Sequence, residues 1–229
     1  MAISILQKTH IGIGLHTYAD TWAHQNFVGY KDHFNAPAAP LSDTRFSVGH
    51  ALFGHEPDQP CGCWTDPRLI SSLQRISNKE RFLRAARVIY KRLTEFLGNS
   101  HFSSSSLQRD LSDAIGKSEV IGEYAGESDL RRFAKKERIR RYQKISRTQG
   151  YGNEELEPYS EDKWFNDAIE KKPLPYGQAP TEYLFFWKNQ KSYKKTDWYK
   201  FQEAVRSHQN ETWEILEEPV FSKVDLPEL

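Results

Sequence analysis

Between His16 and Phe27 the chain reads HTYADTWAHQNF, and three of these side chains, His16, Asp20 and His24, are of types that bind transition metals. On a helix each four-residue step turns the chain by about 400° and climbs roughly 6 Å, so the three leave from one stripe. The two histidines are then about 12 Å apart along the axis, too far to share one ion, while the carboxylate between them has two oxygens. This spacing predicts Asp20 bridging two ions, with one histidine on each, at the roughly 3.5–4 Å separation of two-metal hydrolases. The competing reading is an amphipathic helix that buries two hydrogen-bonded histidines.

A second stretch, GHALFGHEPDQPCGCW, places His50, His55 and Asp58 within nine positions. His50 is expected on a short helix with Ala51 and Leu52, stopped by Gly54, Pro57 and Pro60. His55 and Asp58 then project from a turn, where side chains from different directions can converge. An ordinary polar loop explains the same residues, but the first helix alone holds too few ligands for two ions. The cysteines Cys61 and Cys63 stand too close for a disulfide between them and could add a soft ligand beside His55. No Walker loop, dinucleotide fingerprint, G-x-S-x-G elbow or HExxH motif occurs, so nucleotide-loop, Rossmann and serine-hydrolase chemistries find no residues here.

The third chemical stretch is cationic. Residues 128–148, SDLRRFAKKERIRRYQKISRT, contain nine Lys or Arg against Asp129 and Glu137. Such a helix could follow nucleic-acid phosphates or lie on anionic lipid through residues 131–147, with Arg138, Arg140, Arg141 and Lys144 as anion-binding candidates. Leu130, Phe133, Ile139 and Ile145 are too irregularly spaced for a wide inserting face. A solvated helix facing the acidic segments that follow is the alternative, since the whole chain carries a net charge of only +1.

Elements that would position these groups read as helices. Ile11, Leu15, Tyr18 and Trp22 recur at helical spacing, and Gly12 and Gly14 suit the approach of a second helix. Asp66-Pro67 reads as a helix start. Ser77 with Glu80 forms a capping box for a helix whose Phe82, Ala86, Ile89, Leu93 and Leu97 share one face, with Gly98 as the stop. The serine run 103–106 caps a helix containing Leu107, Leu111 and Ile115. Residues 150–181, rich in Gly and Pro, form a hinge or arm around one helical piece from Ser160 to Lys171. A last helix, capped at Thr196, carries Trp198, Phe201, Val205, His208, Thr212 and Ile215. There His208 is a face residue rather than a ligand, as is His101 beside Phe102. Trp187, Trp198 and Trp213 form an aromatic core in preference to a base-stacking platform. The expectation is therefore an all-α fold, a multi-helix bundle with long loops. Residues 1–126 form a metal-binding helical domain, and 127–229 the basic helix with an aromatic helical region. At 229 residues the chain can bury a real core, and without a leader or an apolar run of about 18 residues it is expected in the cytoplasm.

HTYADTWAHQNF followed by GHALFGHEPDQP and, four residues later, a tryptophan resembles the bacterial proteins catalogued as domain of unknown function 6765. More distantly it is similar to the zinc-dependent phospholipase C and single-strand zinc nuclease superfamily. The resemblance covers about residues 9–64. It implies a helical bundle holding zinc through His16, Asp20, His24 and His50, with His55 and Asp58 matching an extended pattern. It also implies an N-terminal half that this chain lacks, so a second polypeptide or a second copy is expected to supply the remaining ligands.

The function expected from these residues is hydrolysis of a phosphate ester by a zinc or manganese centre. His16, Asp20, His24, His50, His55 and Asp58 are its ligands, Asp20, His55 and Asp58 serve catalysis, and metal-bound water is the nucleophile. The alternative is a non-catalytic or toxin-associated interaction subunit that keeps the ligand helix as a scaffold and uses the basic helix to engage a partner.

Overall fold

In the computed structural model, residues 5–36, 48–98, 103–120, 129–158, 160–174, 183–217 and 219 are described. Helices dominate: α1 (Ile5–Ala23), α2 (Asn78–Leu97), α3 (Ser104–Ile115), α4 (Asp129–Ser146), the short α5 (Lys163–Ala168) and α6 (Asp197–Leu216). Five strands accompany them: β1 (Gly62–Thr65), β2 (Arg75–Ser77), β3 (Glu119–Val120), β4 (Ile169–Pro173) and β5 (Tyr183–Trp187). The expected all-α class is therefore overturned; the fold is mixed α and β, with one three-stranded sheet of order β2-β1-β3 and one two-stranded hairpin. GCWT and RIS are too short to show a strand period, and their pairing, Cys63 with Ser77 and Trp64 with Ile76, is set by the turn between them. In the hairpin, IEKKP carries three charges and YLFFW has no alternation, so neither looks half-buried in isolation.

The chain divides into two compact units, residues 17–157 and residues 1–16 with 158–229, and the first division falls inside α1. Basic helix α4 thus belongs with α2 and α3, whereas the sequence reading divides the chain at 126/127.

Within residues 17–157 the apolar core is small: Phe53, Trp64 and Ile76, flanked by Phe27 and Leu69. Helix α2 begins as its capping box predicts, with the Ser77 hydroxyl accepting from the Glu80 amide at 3.4 Å, and ends at Gly98 with φ of 72°. Its buried side is Asn78, Arg81 and Ala85, while Leu97 is exposed and the expected stripe is only half-buried. The reason is polar: the first turns of α2 lie under the loops around Asp58 and the end of α1, and they serve as a hydrogen-bonding platform. Asp66-Pro67 opens no helix, because the Asp66 carboxylate turns back to accept from the Arg68 amide and guanidinium. Ser103 caps α3 through the Ser106 amide at 3.2 Å.

In the other unit Thr196 caps α6 by accepting from the Tyr199 amide at 3.3 Å. The expected helical piece from Ser160 to Lys171 is cut short at Ala168 by β4. Ring contacts link α5, the hairpin and α6: Phe165 meets Phe185 and Trp198, and Trp187 meets Tyr193 and Tyr199. This supports an aromatic packing role for Trp187 and Trp198, whereas Trp213 is largely exposed. A methyl group on Gly14 would meet the His208 ring at 3.8 Å, an ordinary contact, and one on Gly12 would meet nothing within 4 Å. His101, Phe102, Pro37 and Pro40 lie outside the described residues, as do the side chains of Arg131, Arg132 and Phe133. No helix among the described residues is long and apolar enough to cross a membrane.

Candidate metal centre

Three of the six expected ligands come together. His24, His50 and Asp58 each offer one ligand atom, and these atoms lie within 4.8 Å of one another, the one such group of three or more among the described residues. His24 Nε2 is 2.8 Å from Asp58 Oδ1, and His50 Nε2 is 3.6 Å from Asp58 Oδ2. The two imidazoles stack with centroids 4.3 Å apart. His16, Asp20 and His55 are not members of this group. The carboxylate that stands between two histidines is Asp58.

Helix geometry explains the exchange. Helix α1 runs to Ala23, so His24 stands at its C-terminal end, where its ring meets a carboxylate from a later loop. The His24 amide still donates to the Asp20 carbonyl at 2.8 Å, and Asn26, with φ of 72°, then reverses the chain. Arg81, buried on α2, donates to the Ala23 carbonyl and so satisfies a helix-end acceptor. Burial lowers the Arg81 pKa from its ordinary value, partly offset by the Asp66 charge.

His50 is the cap of a single turn, Ala51–Phe53, that ends at Gly54 with φ 55° and ψ −128°, a conformation open to glycine and hostile to side chains. The Gly54 carbonyl is 2.9 Å from His50 Nδ1. A carbonyl only accepts, so Nδ1 is the donor of that bond and Nε2 is the ring atom that faces Asp58. Asp58 sits in a turn closed by its own amide on the His55 carbonyl, beside the fully buried Pro57. The fully buried Asn78 fixes that turn by donating to the carbonyls of Glu56 (2.6 Å) and Gln59 (2.9 Å), while accepting from the Trp64 indole at 3.0 Å.

Behind the histidines lies a layer of rings. Phe27 meets His50 edge-on and packs on Phe53 and Trp64, and the Arg68 guanidinium sits 4.1 Å from the Phe27 centroid. Arg68 forks onto the fully buried Asp66 at 2.8 and 2.6 Å and also donates to the Phe34 carbonyl. Buried Asn35 closes the opposite edge, bonding the backbone of Val28 and Tyr30. Asn35, Asp66, Arg68 and Asn78 are the positioning residues that sequence reasoning missed. The tight run Asp66-Pro67-Arg68 was their one legible trace.

The donor set fits zinc. Two imidazole nitrogens and one carboxylate oxygen are the three protein ligands of many catalytic zinc sites, and in a tetrahedral shell such atoms stand about 3.3 Å apart. His24 Nε2 and His50 Nε2 face different oxygens of the Asp58 carboxylate, at 2.8 and 3.6 Å. Side-chain exposures of 28% for His24, 26% for His50 and 41% for Asp58 leave one side open to solvent and solutes.

The chain matches the family of unknown function DUF6765 over residues 5–216. It belongs to that family. The match extends far past the 9–64 region on which the sequence resemblance rests, and takes in α4, the hairpin and α6. No curated protein and no solved structure matches the chain.

Proposed function

We propose that this chain is a zinc-dependent hydrolase of a phosphate ester, with His24, His50 and Asp58 as the protein ligands. The observation that carries the reading is the convergence of these three donors on one partly open point, with the His50 tautomer fixed by Gly54. An ion held there would supply Lewis acidity and acidify a water at its open position. His50, with Nδ1 bonded to the Gly54 carbonyl, would bind the ion through Nε2. His24 must give up the Nε2 proton that it now donates to Asp58, and Asp58 exchanges that hydrogen bond for a metal bond. The layer of Phe27, Phe53 and Trp64 keeps water from the back of the imidazoles. The distant kinship to zinc phospholipases C and nucleases belongs to this proposal, as do manganese as an alternative ion and a second chain or copy completing the shell from the open side.

Elemental analysis of purified protein, paired with turnover of a chromogenic phosphodiester, tests it. Wild type is expected to hold zinc and Asp58→Ala to lose it, while Asp20→Ala keeps it. A folded wild type that neither holds zinc nor responds to added zinc would refute the reading. The second reading, an interaction subunit without catalysis, draws on the exposed cations Lys136, Arg140 and Lys144 of α4.

A further inference from the structure

Helix α4 sorts its cations onto two sides. Arg138 turns inward and donates to the Cys61 thiol at 3.4 Å, and Arg141 donates to the Asp113 carbonyl at 3.4 Å. Tyr142, one turn on from Arg138, is partly buried, and burial raises its pKa. Arg138, Tyr142 and Ile145 thus mark the side that faces the body of this unit. Two residues on from Arg138, about 200° around the axis, lies Arg140, in a row with Lys136 and Lys144. All three are exposed, Arg140 at 71%. They rise by about 6 Å per step, a straight file about 12 Å long. Glu137 is the acid paired with this helix among the described residues, 3.7 Å from Arg140 and 3.6 Å from Arg141. Neither Lys136 nor Lys144 has an acidic partner among those residues.

We infer that the outer face of α4, through Lys136, Arg140 and Lys144, is a docking track for the phosphate backbone of a single-stranded nucleic acid. Charge complementarity carries the assignment, and the width of the file chooses the occupant. With Arg138 turned inward and the exposed Lys135 and Arg141 flanking it, the file Lys136–Arg140–Lys144 runs along the helix axis, which suits one backbone following the helix rather than the two of a duplex. A membrane fits less well, because among the described side chains of α4 Ile139 is the exposed apolar one, and one such residue inserts too little area. Binding by this face needs no ion at His24, His50 and Asp58, so the proposal stands apart from the hydrolase reading.

The test is fluorescence anisotropy of a labelled oligothymidylate with the full chain in chelator, across a salt series, beside sedimentation with phosphatidylserine vesicles. Each single-strand phosphate contact contributes about −0.7 to the slope of log affinity against log salt. Three contacts give a slope near −2, so a fourfold rise in salt weakens binding about twentyfold. K136Q/R140Q/K144Q is expected to abolish that slope. A charge-matched triple on another segment, K188Q/K191Q/K195Q, is expected to keep it. Glu137→Gln, which unmasks Arg140, is expected to tighten binding about twofold, a gain that misfolding cannot imitate. No oligonucleotide binding, equal loss in both triple variants, no gain from Glu137→Gln, or capture by vesicles in place of the oligonucleotide would each overturn the proposal.

Discussion

Residues 17–157 and residues 158–217 solve the problem of holding short elements together in opposite ways. In the first, the buried polar groups are Asn35, Asp66, Asn78 and Arg81, and each reaches a backbone carbonyl or a charged neighbour. Among the described residues of the second, the buried side chains are Ala168 and Ala204, and cohesion comes from half-exposed rings, with Lys171 over Phe165 and Lys172 over Phe186. Hydrogen bonds are directional and costly to leave unmade, so they fix loop backbones in one place. Ring contacts tolerate many geometries and give up stability gradually. The candidate metal centre sits in the first kind of framework, where three side chains from two loops must meet within less than an ångström of tolerance.

The hardest test of that contrast is at the ligands. Asp58→Ala should lower zinc affinity by more than about 100-fold, beyond the range seen for outer-shell partners, as read by competition with a chromogenic chelator. Equal affinity in wild type and variant would mean that the framework holds its three donors for another purpose.

Next is Asn78. Asparagine donates to two carbonyls there, and an aspartate of the same shape cannot, so Asn78→Asp should cost about 3 kcal/mol or more in urea unfolding. In the ring-bound region the matching experiment is Trp198→Phe, which retains an aromatic edge toward Phe165 and should cost about 1 kcal/mol. Similar losses for the two conservative changes would remove the distinction between directional and adaptable packing.

Gly54→Ala probes the same framework more gently. At φ 55° and ψ −128° an added side chain is strained, and the Gly54 carbonyl that orients His50 must move. Zinc affinity should fall about 10-fold with the protein still folded; an unchanged affinity would show that the carbonyl does not set the tautomer.

The smallest effect lies at the exposed end of the polar framework. Tyr151 donates to Asp110 at 2.8 Å, and its pKa is pushed up to about 12 by desolvation first and by that hydrogen bond second. The folded state thus holds the phenol proton more tightly than the unfolded chain. Its contribution is fully present below the ordinary tyrosine value near 10 and is lost as pH rises through about 12. Tyrosinate absorbance should show late-titrating tyrosines, one of which moves earlier in Asp110→Asn, and no movement would place the shift elsewhere.

Local signals in the sequence were sufficient for features that local physics decides. The caps at Ser77, Ser103 and Thr196 and the three helices that they open follow from side chains bonding amides three residues away, and the stop at Gly98 from a left-handed backbone. The ligand types in the two chemical stretches, and the cationic character of α4, were equally legible. Which ligands meet was not. A helix period pairs His24 with Asp20, but the carboxylate that its ring meets at 2.8 Å comes from 34 residues further along. That meeting depends on Asn26 reversing the chain, on Gly54 turning His50 and on Asn78 clamping a loop 19 and 22 residues away. The strands escaped notice for the same reason, since each is two to five residues long and acquires its partner only across a turn or an intervening helix. Tertiary structure also divided the cations of α4, because only packing against Cys61 decides that Arg138 faces inward while Lys136, Arg140 and Lys144 remain in solvent. Contacts within about four residues are encoded in spacing; contacts across tens of residues are decided by loop closure and by whichever buried polar group can satisfy the backbone there.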